Sequence, residues 1–261
     1  MNSLKRIKCP AAIIALCLAA VSGANAQVSS INSAFVTTRA FNDVPGAALT
    51  SFNLYPSIVL FSEVGVSAPT GFANRDAWQF SNNGGASAYQ FQSLDYFNAS
   101  MTLQLTGSPI SPRKEAGFLF STPNVGDIQF IVNTDGHEVV QFGGISFYSF
   151  SGSSIVSYNS GDSIRLGLDY LLAPDGNNAL QFFANGNASP IFEFAPGLGI
   201  GNGSTLGGYF QIVNDPNNSG NSGLATFQNI SIVPTPEPTT FPLTGLGLVI
   251  LGAVTARRNR I

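Results

Sequence analysis

Nowhere between Gln27 and Val233 do a dozen consecutive residues carry the apolar spacing of an amphipathic helix, and this confines the body of the chain to sheet. Short apolar stretches alternate instead with clusters of Gly, Ser, Asn and Pro. Ile164-Arg165-Leu166-Gly167-Leu168-Asp169-Tyr170 alternates strictly at period two, the pattern of a strand with one buried face. Ile128, Phe130 and Val132 repeat it, as do Met101, Leu103 and Leu105. Further strands are predicted over 57–62, 75–81, 116–121, 138–142, 145–150, 179–184, 189–194, 207–213 and 225–233. Turn pairs such as Asn83-Gly84, Asp135-Gly136, Asp175-Gly176 and Asn185-Gly186 separate them. The expected fold is all-β: one antiparallel β-sandwich or jelly roll over 27–233, with no internal repeat.

Composition supplies the core for such a body. Hydrophobic residues make up 44% of the chain and Phe alone contributes 21, which excludes wholesale disorder. Both cysteines, Cys9 and Cys17, precede Gln27, so the body holds no thiol nucleophile, zinc-thiolate site or iron–sulfur cluster. No cofactor is expected. The interval 27–233 carries 5 basic residues against 13 acidic ones, a net charge of −8, which would repel nucleic acid.

The remaining basic residues lie at the two ends. Residues 1–26 have the plan of a secretory signal helix: Lys5-Arg6-Ile7-Lys8, an apolar run from Ala11 to Val21, and the small-residue site Ala24-Asn25-Ala26. Signal peptidase would cut after Ala26 and leave Gln27 at the new terminus. At the other end, 234–261 opens on Pro234-Thr235-Pro236-Glu237-Pro238, which cannot continue a strand. A short transmembrane helix is predicted over 241–256, below the roughly 20 residues of a comfortable span, followed by Arg257, Arg258 and Arg260. Those arginines would hold the C-terminus in the cytoplasm.

Pro236-Glu237-Pro238, the Gly-rich apolar helix and the terminal arginines resemble the PEP-CTERM sorting signal, a segment that also goes under the name ice-binding protein C-terminal domain. The resemblance implies an exosortase substrate of a Gram-negative bacterium, held briefly in the inner membrane and then passed to the cell surface or extracellular matrix. A second resemblance covers Tyr158 to Asn187. A strand ending in Asp169-Tyr170 and another ending in the turn Asn185-Gly186 look like neighbouring strands of concanavalin A-like lectin and laminin-G sandwiches. It implies the fold and no ligand.

No catalytic set assembles from the sequence. Gly161-Asp162-Ser163-Ile164 imitates the nucleophile block of GDSL-type esterases, but the only histidine, His137, lies upstream. The Glu-x-Asp-x-x-Glu strand of the jelly-roll glycosidases is absent, and Glu115, Glu138 and Glu193 stand alone. Asp135, His137 and Glu138 share a hairpin tip that reads as an exposed turn, since one imidazole seldom holds a transition metal. Asp215, Asn217 and Asn221 offer oxygen atoms of the kind calcium takes, as do Asp175 and Asn177; both segments read equally as Asx-rich loops. Trp78 shares a strand face with Asp76 and Phe80, and reads either as a core residue or as a carbohydrate platform. Tyr148 is similarly open, in Phe147-Tyr148-Ser149-Phe150. The expectation is a noncatalytic exported surface or matrix protein associated with exopolysaccharide. The alternatives are an extracellular carbohydrate-active enzyme and, more remotely, ice binding.

Overall fold

Period-two burial runs along the strands of the protein, whose computed structural model describes residues 28–152 and 155–235. After a 3-10 turn at Val28–Ser30 come β1 (Ser33–Asn42), β2 (Ala48–Leu54), β3 (Ile58–Val64), β4 (Ala73–Ser81) and β5 (Phe97–Ser108). Then follow β6 (Lys114–Thr122), β7 (Gly126–Asn133), β8 (Val139–Phe142), β9 (Tyr148–Ser149) and β10 (Ser163–Leu172). The chain continues through β11 (Asn178–Ala184), β12 (Asn187–Ala188), β13 (Phe192–Glu193), β14 (Thr205–Val213) and β15 (Ser222–Pro234). All pairings are antiparallel and build two sheets. One is seven-stranded, in the order β1-β4-β14-β6-β7-β8-β9. The other is eight-stranded, in the order β12-β11-β10-β5-β15-β3-β2, with β13 on β11.

The inner faces meet over an aromatic core. Trp78 of β4 meets Phe227 of β15 with ring centroids 5.9 Å apart, and Phe130 of β7 meets Phe182 of β11 at 5.3 Å. Phe97 and Phe120 close the gap between β5 and β6 at 6.0 Å. The expected sandwich is the observed one. Several strand bounds differ: β1 and β2 were not anticipated, because Thr37-Thr38-Arg39 and Ser51-Phe52-Asn53 carry little apolar alternation. The predicted strands 145–150 and 189–194 shrink to the two-residue β9 and β13 at sheet margins. Pro234, expected to lie beyond the last strand, instead closes β15 opposite Phe97; β3 no longer pairs there, so its missing amide breaks no ladder. The predicted signal and transmembrane helices lie outside the described residues.

Two charged groups are built into this interior. A bulge in β1 between Thr37 and Phe41 turns Arg39 (φ 55°) inward, where its Nε lies 3.0 Å from Glu63 Oε1. Its backbone N–H donates to Asp76 Oδ1 at 2.8 Å, and Asn74 Nδ2 reaches Glu63 Oε2 at 3.3 Å. Two buried carboxyls therefore converge on Arg39, Glu63 on its guanidinium and Asp76 on its backbone N–H. At the start of β6, Lys114 is fully buried, and its Nζ donates to the carbonyls of Pro109 and Pro112, each at 2.7 Å. Burial lowers its pKa to about 8.

Candidate functional site

Because Asp76, Trp78 and Phe80 face the core, the alternate residues Arg75, Ala77 and Gln79 lie on the outer face of the seven-stranded sheet. The same logic puts Tyr209 and Gln211 of β14, Glu115 of β6 and Gln129 of β7 on that face. Register brings them side by side: Gln211 pairs with Arg75 on one flank and with Glu115 on the other. Arg75 Nε donates to Gln211 Oε1 at 2.8 Å, and Gln211 Nε2 donates to Glu115 Oε1 at 3.1 Å. The Tyr209 hydroxyl lies 3.1 Å from that same oxygen and 2.6 Å from Gln129 Oε1. To reach β7 the Tyr209 side chain must cross β6, and it does so opposite Gly117. There the backbones approach so closely that a Cβ would sit 2.0 Å from the Phe130 carbonyl oxygen.

The result is a continuous chain of hydrogen bonds, Arg75–Gln211–Glu115–Tyr209–Gln129, spanning four adjacent strands. Tyr209 is fully buried against Ile131 and Val140, although it faces outward, and the Arg75 guanidinium lies 4.9 Å above its ring. Glu115 and Gln211 are nearly buried, while Arg75 and Gln129 are half-exposed. Burial raises the proton affinity of Glu115, opposed by the Tyr209 hydrogen bond and by the charges of Arg113 and Arg75. Burial, then the Glu115 charge, pushes Tyr209 well above the usual phenol range. One hydroxyl hydrogen cannot serve both oxygens. Either Gln129 turns its amide nitrogen to the phenol or Glu115 carries a proton. A carboxyl of raised proton affinity, fixed from below and flanked by a guanidinium, is equipped for proton transfer beside a bound anion.

The residues singled out from the sequence fall elsewhere. Trp78 is 1% exposed in the core, so it offers no carbohydrate platform, and its neighbour Asp76 is sealed in with it. Tyr148 is half-buried on β9, edge-on to Phe150 at 4.9 Å and to Phe192 at 6.3 Å. Asp215, Asn217 and Asn221 do not converge. Asp215 Oδ1 accepts the Asn217 N–H at 3.1 Å within its own turn, whereas Asn221 is buried and donates to the carbonyls of Val66 and Val213. Asp175 likewise caps Asn177, and Asp162 accepts from Asn159. Among the described residues no three His, Cys, Asp or Glu side chains come together as a metal site. His137 sits in an exposed turn, with Asp135 and Glu138 beside it paired to Arg113 at 3.2 and 3.0 Å. Ala24, Ala26, Gln27, Pro236, Glu237, Pro238, Arg257, Arg258 and Arg260 lie outside the described residues.

A scan against protein-family models finds no match to this chain, and a search of curated proteins finds none either. Solved structures do resemble it. The alginate lyase from Corynebacterium sp. superposes with a TM-score of 0.52 at 12% identity, over 78% of this chain and 94% of that one. An alginate lyase of polysaccharide lyase family 7 gives 0.48 at 12% identity, over 78% and 95%. The marine lyase of Zobellia galactanivorans gives 0.45 at 12%, over 81% and 100%. The chain shares the β-sandwich fold of the Corynebacterium lyase. That likeness, together with the hydrogen-bonded set on the outer face, corrects the expectation of a noncatalytic surface protein. Sequence reasoning missed that set because its members lie far apart in the chain and each looks isolated.

Proposed function

We propose that the body is an extracellular carbohydrate-active enzyme that works on an acidic polysaccharide laid across the outer face of the seven-stranded sheet. The observation that carries this reading is the Arg75–Gln211–Glu115–Tyr209–Gln129 network. The lyase fold supports it, and a uronate polymer of the alginate type is the substrate class that fits. Arg75 pairs with the sugar carboxylate and so acidifies the ring C–H beside it. Glu115 takes that proton, the bond to the neighbouring glycosidic oxygen breaks, and the same carboxyl returns the proton to the departing oxygen. The products are an unsaturated uronate end and a new hydroxyl end, with no water consumed. Tyr209 touches no substrate in this scheme; it is a positioning residue that holds Glu115 from below. The signal and the PEP-CTERM-like segment would carry this enzyme out through signal peptidase and exosortase to the cell surface.

The test is to incubate the mature exported protein with alginate, other polyuronates and a neutral glucan. The ultraviolet absorbance of the unsaturated product is followed alongside new reducing ends. Acidic polymers should give both signals and the glucan neither. Glu115→Gln should slow turnover by about 100-fold or more, in line with loss of a general acid–base group. Reducing ends without absorbance would replace elimination with hydrolysis, and no turnover on any acidic polymer would sink the reading.

A further inference from the structure

The opposite side of the sandwich carries a notch that the reading above does not use. On the outer face of the eight-stranded sheet, Gly167 of β10 pairs with Ser100 of β5 on one flank and Phe183 of β11 on the other. Because Gly167 has no side chain, the surface sinks between its neighbours into a cavity of about 430 Å³, a size that accepts a small ligand. Arg165 and Asn185 stand at one end of the notch and Asn98 at the other. Phe183 is half-exposed and lines the notch.

The polar groups around it are held in place but not used up. Asn185 (φ 48°) accepts the Arg165 backbone N–H at 2.9 Å, which fixes the turn over that end. Asn98 donates its amide to Asp169, leaving its carbonyl oxygen without a described partner. The Arg165 guanidinium has one hydrogen bond among the described residues, a long one of 3.4 Å to the Ser100 hydroxyl, and no carboxylate within ion-pair distance.

We propose that this notch is a second saccharide site, separate from the reacting face, that takes one anionic sugar unit of a polymer. The half-exposed Phe183 covers the apolar C–H face of the sugar. Ser100, Asn98 and Asn185 meet its hydroxyls, and Arg165 pairs with its carboxylate or sulfate. For the class of ligand the inference rests on the polysaccharide reading above; for its place it rests on the notch alone. Since the two sites look out from opposite faces of the sandwich, a protein occupied at both holds two stretches of polymer at once.

Titration of the mature protein with a short oligouronate, followed by calorimetry, tests this. In an Arg75→Ala background, which disables the reacting face, binding should persist. Adding Arg165→Ala or Phe183→Ala should then weaken it by about tenfold or more, the loss of one charge-assisted contact or one ring face. Gly167→Leu fills the notch without removing a polar contact; a Cβ there meets the Phe183 Cβ at 3.3 Å, so β11 must give by a few tenths of an ångström. It should abolish binding while the protein still melts cooperatively, which separates occupancy from misfolding. If Arg75→Ala protein binds nothing while the wild type binds, or if the notch variants bind as well as their parent, the second site does not exist. Absence of both turnover and binding on every acidic saccharide would remove the enzymatic reading and this one together, whereas turnover with indifferent notch variants removes only this one.

Discussion

Glu63→Gln is the perturbation for which the structure gives a magnitude. Burial, reinforced by the nearby Asp76 charge and opposed by Arg39, pushes the Glu63 carboxyl from 4.5 to about 7. The folded chain therefore keeps a proton that the unfolded chain releases across this interval. Stability from this group is fully present below the unfolded value and is lost as pH rises through the folded one, the reverse of an acid whose folded pKa is depressed, because burial outweighs the Arg39 pair. The separation between the two values corresponds to about 3 kcal/mol over the window. Asp76, also raised by burial, acts in the same direction, and Arg39 is the only described cation within ion-pair distance of Glu63. Glutamine keeps the shape of Glu63 and cannot titrate. Urea unfolding at several pH values should show wild-type stability falling by about 3 kcal/mol relative to Glu63→Gln between the two ends of the window. Parallel wild-type and variant curves would refute the buried, proton-holding carboxyl.

Gly117→Ala should destabilise by about 2–3 kcal/mol and lower the melting temperature by roughly 5–10 °C, because its Cβ has nowhere to go beside the Phe130 carbonyl; an unchanged melt would mean that β6 and β7 do not approach as described. For the ends of the chain, mass spectrometry of exported protein should find Gln27 at the N-terminus. Replacing Pro236-Glu237-Pro238 with alanines should leave a membrane-bound precursor in a strain that carries exosortase, and normal delivery of that variant would reduce the triplet to a linker.

Sequence and structure agree where one strand decides the matter alone. The alternation of 164–170 placed Ile164, Leu166, Leu168 and Tyr170 in the core, and all four are buried. The face of Trp78 was legible, but its environment was not. Asp76 beside it suggests solvent, and only the bulge that turns Arg39 inward lets a carboxyl sit in the core. The hydrogen-bonded set was hidden for a different reason. The outward alternation of Tyr209 and Gln211 can be read from β14, but their partners Arg75 and Glu115 are 136 and 96 residues away from Gln211. They become neighbours only because β14 inserts between β4 and β6. Strand order in a sandwich with crossovers is set by which faces bury each other, a property of the whole set of strands that no local pattern carries.

The few cations of the body make the same point electrostatically. Of the five, Arg39 is committed to Glu63, Arg113 to Asp135 and Glu138, and Lys114 to two proline carbonyls. Arg75 and Arg165 remain, each without a carboxylate at ion-pair distance among the described residues, and each on the outer face of a different sheet. A body of net charge −8 does not steer a polyanion toward itself from afar. Beyond about 10 Å at moderate salt its repulsion is screened, and what remains is short-range contact. Under the proposed reading, recognition of an acidic polymer on such a body falls to the sites where a guanidinium without a carboxylate partner stands among amides and a hydroxyl or a ring. Among the described residues the two outer faces supply one such site each.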